Sequence, residues 1–249
     1  MSRFYIPPHA WNPDKLALDP AETHHALDVL RLKAGDRATV FNGLGAEATV
    51  EIATVEKAHV TLRKLHHSQS PKLACEITLG QAIPKGKNME LIIEKATELG
   101  AASIAPLLSE RTVVQADDGE ALRKREKWQR VAIEAAKQCG QNWLPEVAKP
   151  VTPKEFFQNS RGFDLMLIAS LQSDSRHLKQ VLAAQSAAPK QVLILVGPEG
   201  DFTPAEMSLA KTHGCAPISL GPIILRTETA AIYCLSILSH ELLHVAPAH

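Results

Sequence analysis

Apolar residues along the chain keep two different rhythms. Up to about residue 70 the period is two: Arg37-Ala38-Thr39-Val40-Phe41, Ala48-Thr49-Val50-Glu51-Ile52 and His59-Val60-Thr61-Leu62-Arg63 alternate between apolar and polar, with Asn42-Gly43-Leu44-Gly45 and Glu56-Lys57 between them. Half-buried strands read this way, so a small antiparallel sheet or barrel is predicted. Ahead of it, Asp19-Pro20-Ala21-Glu22 can begin a short helix through His24, His25, Leu27 and Leu30.

Beyond the polar stretch His66-His67-Ser68-Gln69-Ser70-Pro71-Lys72 the pattern changes to unbroken apolar runs separated by helical spacings, and a domain boundary is expected there. Cys75 to Ile83 reads as a strand. Pro84-Lys85-Gly86-Lys87 leads into a helix capped by Asn88, with Met89, Ile92, Ile93, Ala96 and Leu99 on one face and Gly100 at its close. Ser103 to Leu108 is the next strand, and Glu120 to Gln138 a long helix. Phe163 to Ala169 is a buried strand ending at Ser170-Leu171-Gln172, and Val192 to Val196 is another, ending at Gly197-Pro198-Glu199-Gly200. Thr203, Pro204 and Glu206 supply a hydroxyl cap, a proline at the first helical position and a capping-box carboxylate for a helix that stops at His213-Gly214. Pro217 to Leu220 is a last strand, followed by Gly221-Pro222 and an apolar helix running to about His244. About five parallel strands joined by helices make an α/β sheet. The expected domains are 1–70 and 73–249.

Composition adds limits. Lysine and arginine total 27, as do aspartate and glutamate, so net charge neither requires nor excludes a nucleic-acid partner; local arrangement decides. Arg123, Lys124, Arg125, Lys127 and Arg130 crowd the early part of the long helix, the usual look of a solvated face, with an RNA contact as the lesser alternative. No apolar run reaches the length of a membrane span and the N-terminus lacks the apolar stretch of a signal peptide, so the expected location is the cytoplasm. Cys75, Cys139, Cys215 and Cys234 are widely spaced, which points to buried reduced thiols rather than a disulfide frame or zinc site. Adjacent histidines such as His24-His25 and His66-His67 point in different directions, so no metal site is expected.

Two loops, after Val196 and after Leu220, lie at the carboxyl ends of strands, where ligands bind in open α/β sheets. No Gly-Lys-Ser/Thr follows Gly200 and no Gly-x-Gly-x-x-Gly follows an early strand, so a phosphate cradle is not expected. Taken together, Gly197-Pro198-Glu199-Gly200, Leu220-Gly221-Pro222 and Leu225-Arg226-Thr227-Glu228-Thr229-Ala230 resemble the signature of the RsmE family of 16S ribosomal RNA methyltransferases, in the SPOUT superfamily. The resemblance extends through Pro84-Lys85-Gly86-Lys87, Lys95-Ala96-Thr97-Glu98-Leu99-Gly100 and Gln138-Cys139-Gly140 to His25, Val29-Leu30-Arg31 and Gly35-Asp36.

That resemblance implies a PUA-like RNA-binding β-barrel domain over 1–70 and a SPOUT methyltransferase domain over 73–249, a trefoil-knotted parallel sheet with a deep knot in its last part, in which the Arg226 loop passes through another. It implies S-adenosylmethionine as cofactor, bound in bent form by Leu171, Gly197, Pro198, Glu199, Gly200, Leu220, Gly221, Leu225, Arg226, Thr229 and Ala230. The implied reaction is methylation at N3 of one uridine in the decoding region of 16S rRNA in the small ribosomal subunit, by a homodimer. Uridine N3 holds a proton, so catalysis has to combine its removal with orientation. Glu199 and Glu228 are the candidate proton acceptors and Arg226 the candidate stabiliser of the uracil anion. The plainer readings are that Glu199 shapes its turn, Glu228 favours a helix N-terminus, and Arg226 pairs with one of them. Arg3, His25, Arg31, Lys33 and Lys85 are the implied RNA contacts, set against a solvated helix face for the histidines and pairing of basic residues with Asp28 and Asp36. Gln141 stands where the family often has arginine, so an RNA contact there is weakened or supplied elsewhere. Two rivals remain: a SPOUT ribose 2′-O-methyltransferase, whose usual Ser-Leu-Asn stretch is absent here, and a non-catalytic RNA-binding or assembly factor.

Overall fold

A computed structural model describes residues 1–56, 59–112, 118–160 and 162–243; the expected turn at Lys57 and the expected helix end near His244 lie outside them. Packing divides the chain into two units, Met1–Lys72 with Ile133–Leu144, and Leu73–Ala132 with Pro145–His249.

The first unit is a four-stranded sheet in the order β1 (Ser2–Tyr5), β2 (Arg37–Phe41), β3 (Ala46–Glu56), β4 (His59–Gln69). β1 runs parallel to β2 and the other pairs are antiparallel, so the expected all-antiparallel sheet acquires one parallel edge from a strand too short to show a period. Phe4, Ile6, Ala26, Val40 and Val50 form its core. The expected short helix is present: Asp19 accepts from the Glu22 N–H at 2.7 Å and starts α1 (Pro20–His24), which continues into a wider turn over His25–Val29. His66 to Gln69, expected as linker, belong instead to β4 and pair with Ala46 to Thr49. β4 is an edge strand whose side chains are mostly exposed, so a polar sequence costs nothing there while β3 satisfies the backbone. The segment Ile133–Leu144 is tied in by polar contacts. Lys137 Nζ meets Glu22 Oε1 at 3.0 Å, Asn142 accepts from Arg3 and donates to Ser70 Oγ, and Trp143 Nε1 donates to the Pro71 carbonyl at 2.9 Å. Burial raises the Glu22 carboxyl above its ordinary value against the pull of Lys137. For Lys137 burial acts downward, but its bonds to Glu134 and Glu22 outweigh it and leave the ammonium raised. The two shifts favour opposite charge states of one contact, and the short distances mark it as an ion pair.

The second unit is a seven-stranded sheet, every pair parallel, in the order β7-β6-β5-β10-β8-β11-β9. Its strands are β5 (Glu76–Ala82), β6 (Ser103–Leu107), β7 (Glu146–Val147), β8 (Leu165–Ala169), β9 (Arg176–His177), β10 (Gln191–Val196) and β11 (Ala216–Ser219). β10 is central, and Val192 to Val196 are all buried, as an unbroken apolar run requires. On one face Leu193 and Leu195 pack with Ala82, Leu107, Phe156, Phe157 and Met207. The connecting helices are α2 (Asn88–Glu98), α3 (Asp118–Cys139), α4 (Pro153–Asn159), α5 (Leu178–Ala183), α6 (Pro204–Thr212) and α7 (Thr227–Leu242), with α7 packed on α2, β5 and β10. The Thr203–Glu206 capping box forms as expected, and Thr152–Glu155 makes a second one for α4 whose sequence signal went unread. The two-residue edge strands β7 and β9, and α5, are too short for periodicity to reveal. Asn88 does not cap α2: Lys87 precedes the helix without a side-chain bond, and Asn88 is its first residue.

Among the described residues no helix is long and apolar enough to cross a membrane. All four cysteines are free; Cys75, Cys215 and Cys234 are buried as expected, but Cys139, at the last position of α3, is exposed. Burial pushes the Cys75 thiol up to about 11 and those of Cys215 and Cys234 to about 12. Since the thiolate is the reactive form, a disulfide reagent at pH 8 is expected to titrate one thiol rapidly in the native protein and four after denaturation. Rapid loss of Cys139→Ser protein thiols under native conditions would contradict this packing.

Candidate active site

Because all seven strands run the same way, their carboxyl ends share one edge, and three of the loops leaving that edge wall a cavity of ≈ 710 Å³. Val196 to Glu199 and Asp201 come from the end of β10, Ala169 to Gln172 from β8, and Ser219 to Leu225 from β11. The first turns of α7, through Arg226, Thr227, Glu228 and Ala230, and Asn88 at the start of α2 complete the wall. Of the residues expected to meet a cofactor, Leu171, Gly197, Pro198, Glu199, Leu220, Gly221, Leu225, Arg226 and Ala230 line this space. Gly200 and Thr229 do not: the Gly200 carbonyl accepts from Arg111 Nη1, and Thr229 lies exposed on α7.

The walls are pinned to one another by hydrogen bonds. Thr227 Oγ1 donates to the Gly197 carbonyl at 2.7 Å and accepts from Gln81 Nε2 at 3.1 Å, linking α7 to the ends of β10 and β5. Glu199 Oε1 accepts from the Lys85 backbone N–H at 2.9 Å, and Asn88 Nδ2 donates to Glu228 Oε2 at 3.3 Å. Glu199 thus meets the loop after β5 and Glu228 the start of α2, and each also borders the cavity. Arg226 is exposed and pairs with neither of them; among the described residues its guanidinium has no hydrogen bond or ion pair.

Backbone geometry explains the glycines and one residue that sequence reasoning missed. Gly221 has φ +116, open to glycine and strained for other residues, and a Cβ on Gly197 would come within 3.2 Å of the Phe202 backbone nitrogen. Asp201, not anticipated, takes φ +63 on the cavity wall, and its carboxylate accepts from the Phe202 N–H at 2.8 Å. Asn88, Thr227 and the buried Gln81 were also missed as site residues. Gln81 had a signal, an amide inside the apolar run from Cys75 to Ile83. The side chains lining the cavity include three carboxylates, of Glu199, Asp201 and Glu228, against the one guanidinium of Arg226, a balance that favours a ligand carrying positive charge.

The expected RNA contacts fall in different surroundings. Arg3 is 14% exposed, its guanidinium bonded to Glu47 and Asn142 at 2.6 Å each and lying over the Phe41 ring. His25 is half-buried with its ring edge-on to Phe4, while Arg31, at φ 56, and Lys33 are exposed. Lys85 is exposed and its backbone N–H holds Glu199. Gln141 Oε1 accepts from the Trp143 N–H at 3.2 Å and so serves its own turn. Among the described residues no three of His, Cys, Asp or Glu are grouped so as to hold a metal ion.

Known proteins share this arrangement. A family pattern described as an RNA methyltransferase domain matches residues 71–239, and one described as an RNA methyltransferase PUA domain matches residues 18–65. The ribosomal RNA small subunit methyltransferase E of Bacillus subtilis is 35% identical over 224 residues, 88% of each chain. The protein of the same name from Synechocystis is 35% identical over 235 residues, 94% of this chain and 76% of its own. Among solved structures, the ribosomal RNA small subunit methyltransferase E of Neisseria gonorrhoeae, bound to S-adenosylmethionine, superposes with a TM-score of 0.86 at 29% identity over 97% of this chain and 98% of its own. A Legionella pneumophila protein solved with the same molecule as bound cofactor also gives 0.86, at 36% identity, over 96% and 97%. A parallel α/β sheet with a ligand cavity at its carboxyl edge, joined to an N-terminal PUA-like domain, defines an RNA methyltransferase. Within that class, the chain belongs to the ribosomal RNA small subunit methyltransferase E, or RsmE, family.

Proposed function

We propose that the protein transfers a methyl group from S-adenosylmethionine to N3 of one uridine in the decoding region of 16S rRNA in the small ribosomal subunit, in the cytoplasm. The observation that carries the reading is an unpaired Arg226 sharing one cavity with the carboxylates of Glu199 and Glu228. The cavity suits the cofactor. Its volume of ≈ 710 Å³ falls in the usual range of small-molecule sites, about 300–1,000 Å³, and its excess of carboxylates favours a sulfonium and an ammonium. Leu171, Gly197, Pro198, Leu220, Gly221, Leu225 and Ala230 would hold it, and the trefoil threading of the Arg226 loop is part of the same proposal. Bound there, S-adenosylmethionine supplies an electrophilic methyl group.

The remaining work belongs to the chain. Glu199, exposed at the rim, accepts the N3 proton, while Glu228 stands in the first turn of α7 with the Asn88 amide as its partner. Arg226 stabilises the resulting uracil anion with a charge-assisted hydrogen bond. The domains are read as 1–70 and 73–249, with Arg31, Lys33 and Lys85 offering exposed charge to RNA phosphates and His25 an aromatic edge, while Arg3 holds its own sheet in shape. On α7, Ile232 and Ile237 are half-buried and Tyr233 is 38% exposed, a face suited to the same helix of a second copy in a homodimer.

With labelled cofactor and 30S particles lacking the modification, label is expected on the uracil base at N3; label on a ribose would establish the 2′-O rival, and none would establish a non-catalytic factor. Arg226→Ala is expected to lower kcat by about 10²-fold with the cofactor Kd changed by less than about threefold, and Glu199→Gln to lower it by about 10²-fold. Wild-type turnover in Arg226→Ala would remove that residue from the mechanism. Light scattering is expected to give twice the chain mass, and a monomeric mass would overturn the homodimer.

A further inference from the structure

Gln81 is 0% exposed, near the carboxyl end of β5, on the strand face it shares with the fully buried Ile77 and Leu79. Its Nε2 donates both to the Ala82 carbonyl at 2.8 Å and to Thr227 Oγ1 at 3.1 Å, while Oε1 is buried and meets no donor among the described residues. The assignment of the two amide atoms is settled by chemistry, since the reverse would set Oε1 against the Ala82 carbonyl, two acceptors in contact. Leucine at this position would bury no orphaned oxygen, and a buried polar group lacking a partner calls for a use. The use is visible in what the amide reaches. Thr227 stands between Arg226 and Glu228, and its hydroxyl donates a hydrogen bond to the Gly197 carbonyl at 2.7 Å. A single line of hydrogen bonds thus runs from β5 through the first residue of α7 to the loop after β10.

We infer that Gln81 is a positioning residue for methyl transfer, acting through Thr227 to set the placement of Arg226 against the cavity. The inference rests on the catalytic reading of Arg226 given above. Gln81 is absent from the cavity wall, whereas Thr227 is part of it. A core kept less stable than leucine would make it, at the point that aims the reactive side chain, is how active sites trade stability for geometry.

Gln81→Leu, Thr227→Val, Thr227→Ser, the Gln81→Leu/Thr227→Val double variant and Arg226→Ala are compared as full-length proteins. The readouts are steady-state methylation of 30S particles, calorimetric affinity for S-adenosylmethionine and thermal midpoint. Gln81→Leu is expected to melt at or above the wild-type temperature while kcat falls about tenfold or more, with cofactor affinity changed by less than about threefold. Thr227→Val is expected to lose a similar factor in kcat, Thr227→Ser to restore most of it, and the double variant to lose no more than the worse single one, because the pair acts as a unit. Wild-type kcat in Gln81→Leu overturns the proposal. So does a kcat loss that tracks an equal loss of melting temperature and cofactor affinity, or full additivity in the double variant. If Gln81→Leu does not fold, the contrast between Thr227→Val and Thr227→Ser decides, and equal kcat in those two overturns the proposal. The control separates the two readings: turnover retained in Arg226→Ala removes the catalytic role and with it anything to position, whereas turnover lost there but kept in Gln81→Leu and Thr227→Val removes the positioning role alone.

Discussion

Parallel pairing is the constraint from which the catalytic unit follows. A parallel strand cannot turn back on its neighbour and needs a crossover, so helices cover both faces and every strand delivers its carboxyl end to the same edge. The loops after β8, β10 and β11, separated by tens of residues in the chain, are thereby brought side by side around one cavity. The unbroken apolar run of β10 is the price of standing at the centre of that sheet, with β5 on one side and β8 on the other.

Within that edge, the polar groups divide into those that hold the walls together and one that does not. Glu199 is held by the Lys85 N–H, Glu228 by the Asn88 amide, and Thr227 by Gln81 and the Gly197 carbonyl. Arg226 alone among the charged side chains lining the cavity carries positive charge, and it has no partner among the described residues. A guanidinium flanked by fixed neighbours but itself uncommitted is placed to gain most when negative charge develops nearby, since no existing bond has to be broken first.

The first unit solves a different problem. Its sheet is small, and the side chains of one edge strand are mostly exposed, so polar cross-links supplement the apolar core. Arg3 with Glu47 and Asn142, and Lys137 with Glu22, bring the end of α3 and the turn beyond it into that unit, although they lie far away in sequence. Basic residues in the same unit therefore differ in availability: the guanidinium of Arg3 is engaged, while Arg31 and Lys33 face solvent.

Local chemistry alone determined the elements whose cause is local. The capping box at Thr203 and Glu206, the cap at Asp19 and the buried run at Val192 to Val196 follow from neighbours a few residues away, and they form as the pattern requires. The glycine- and proline-marked loops after Val196 and Leu220 were legible as loops at strand ends for the same reason, and both line the cavity. What depends on partners distant in the chain was not legible. His66 to Gln69 became strand because β3 offered its backbone edge, and Asn88 became the first residue of α2 rather than its cap, with its amide 3.3 Å from Glu228 at the start of α7. The role of Gln81 is likewise set only by the approach of Thr227, 146 residues later. Hydrogen bonds of that kind are specified by distance in space, to which separation along the polypeptide is blind, so only the folded sheet could decide them.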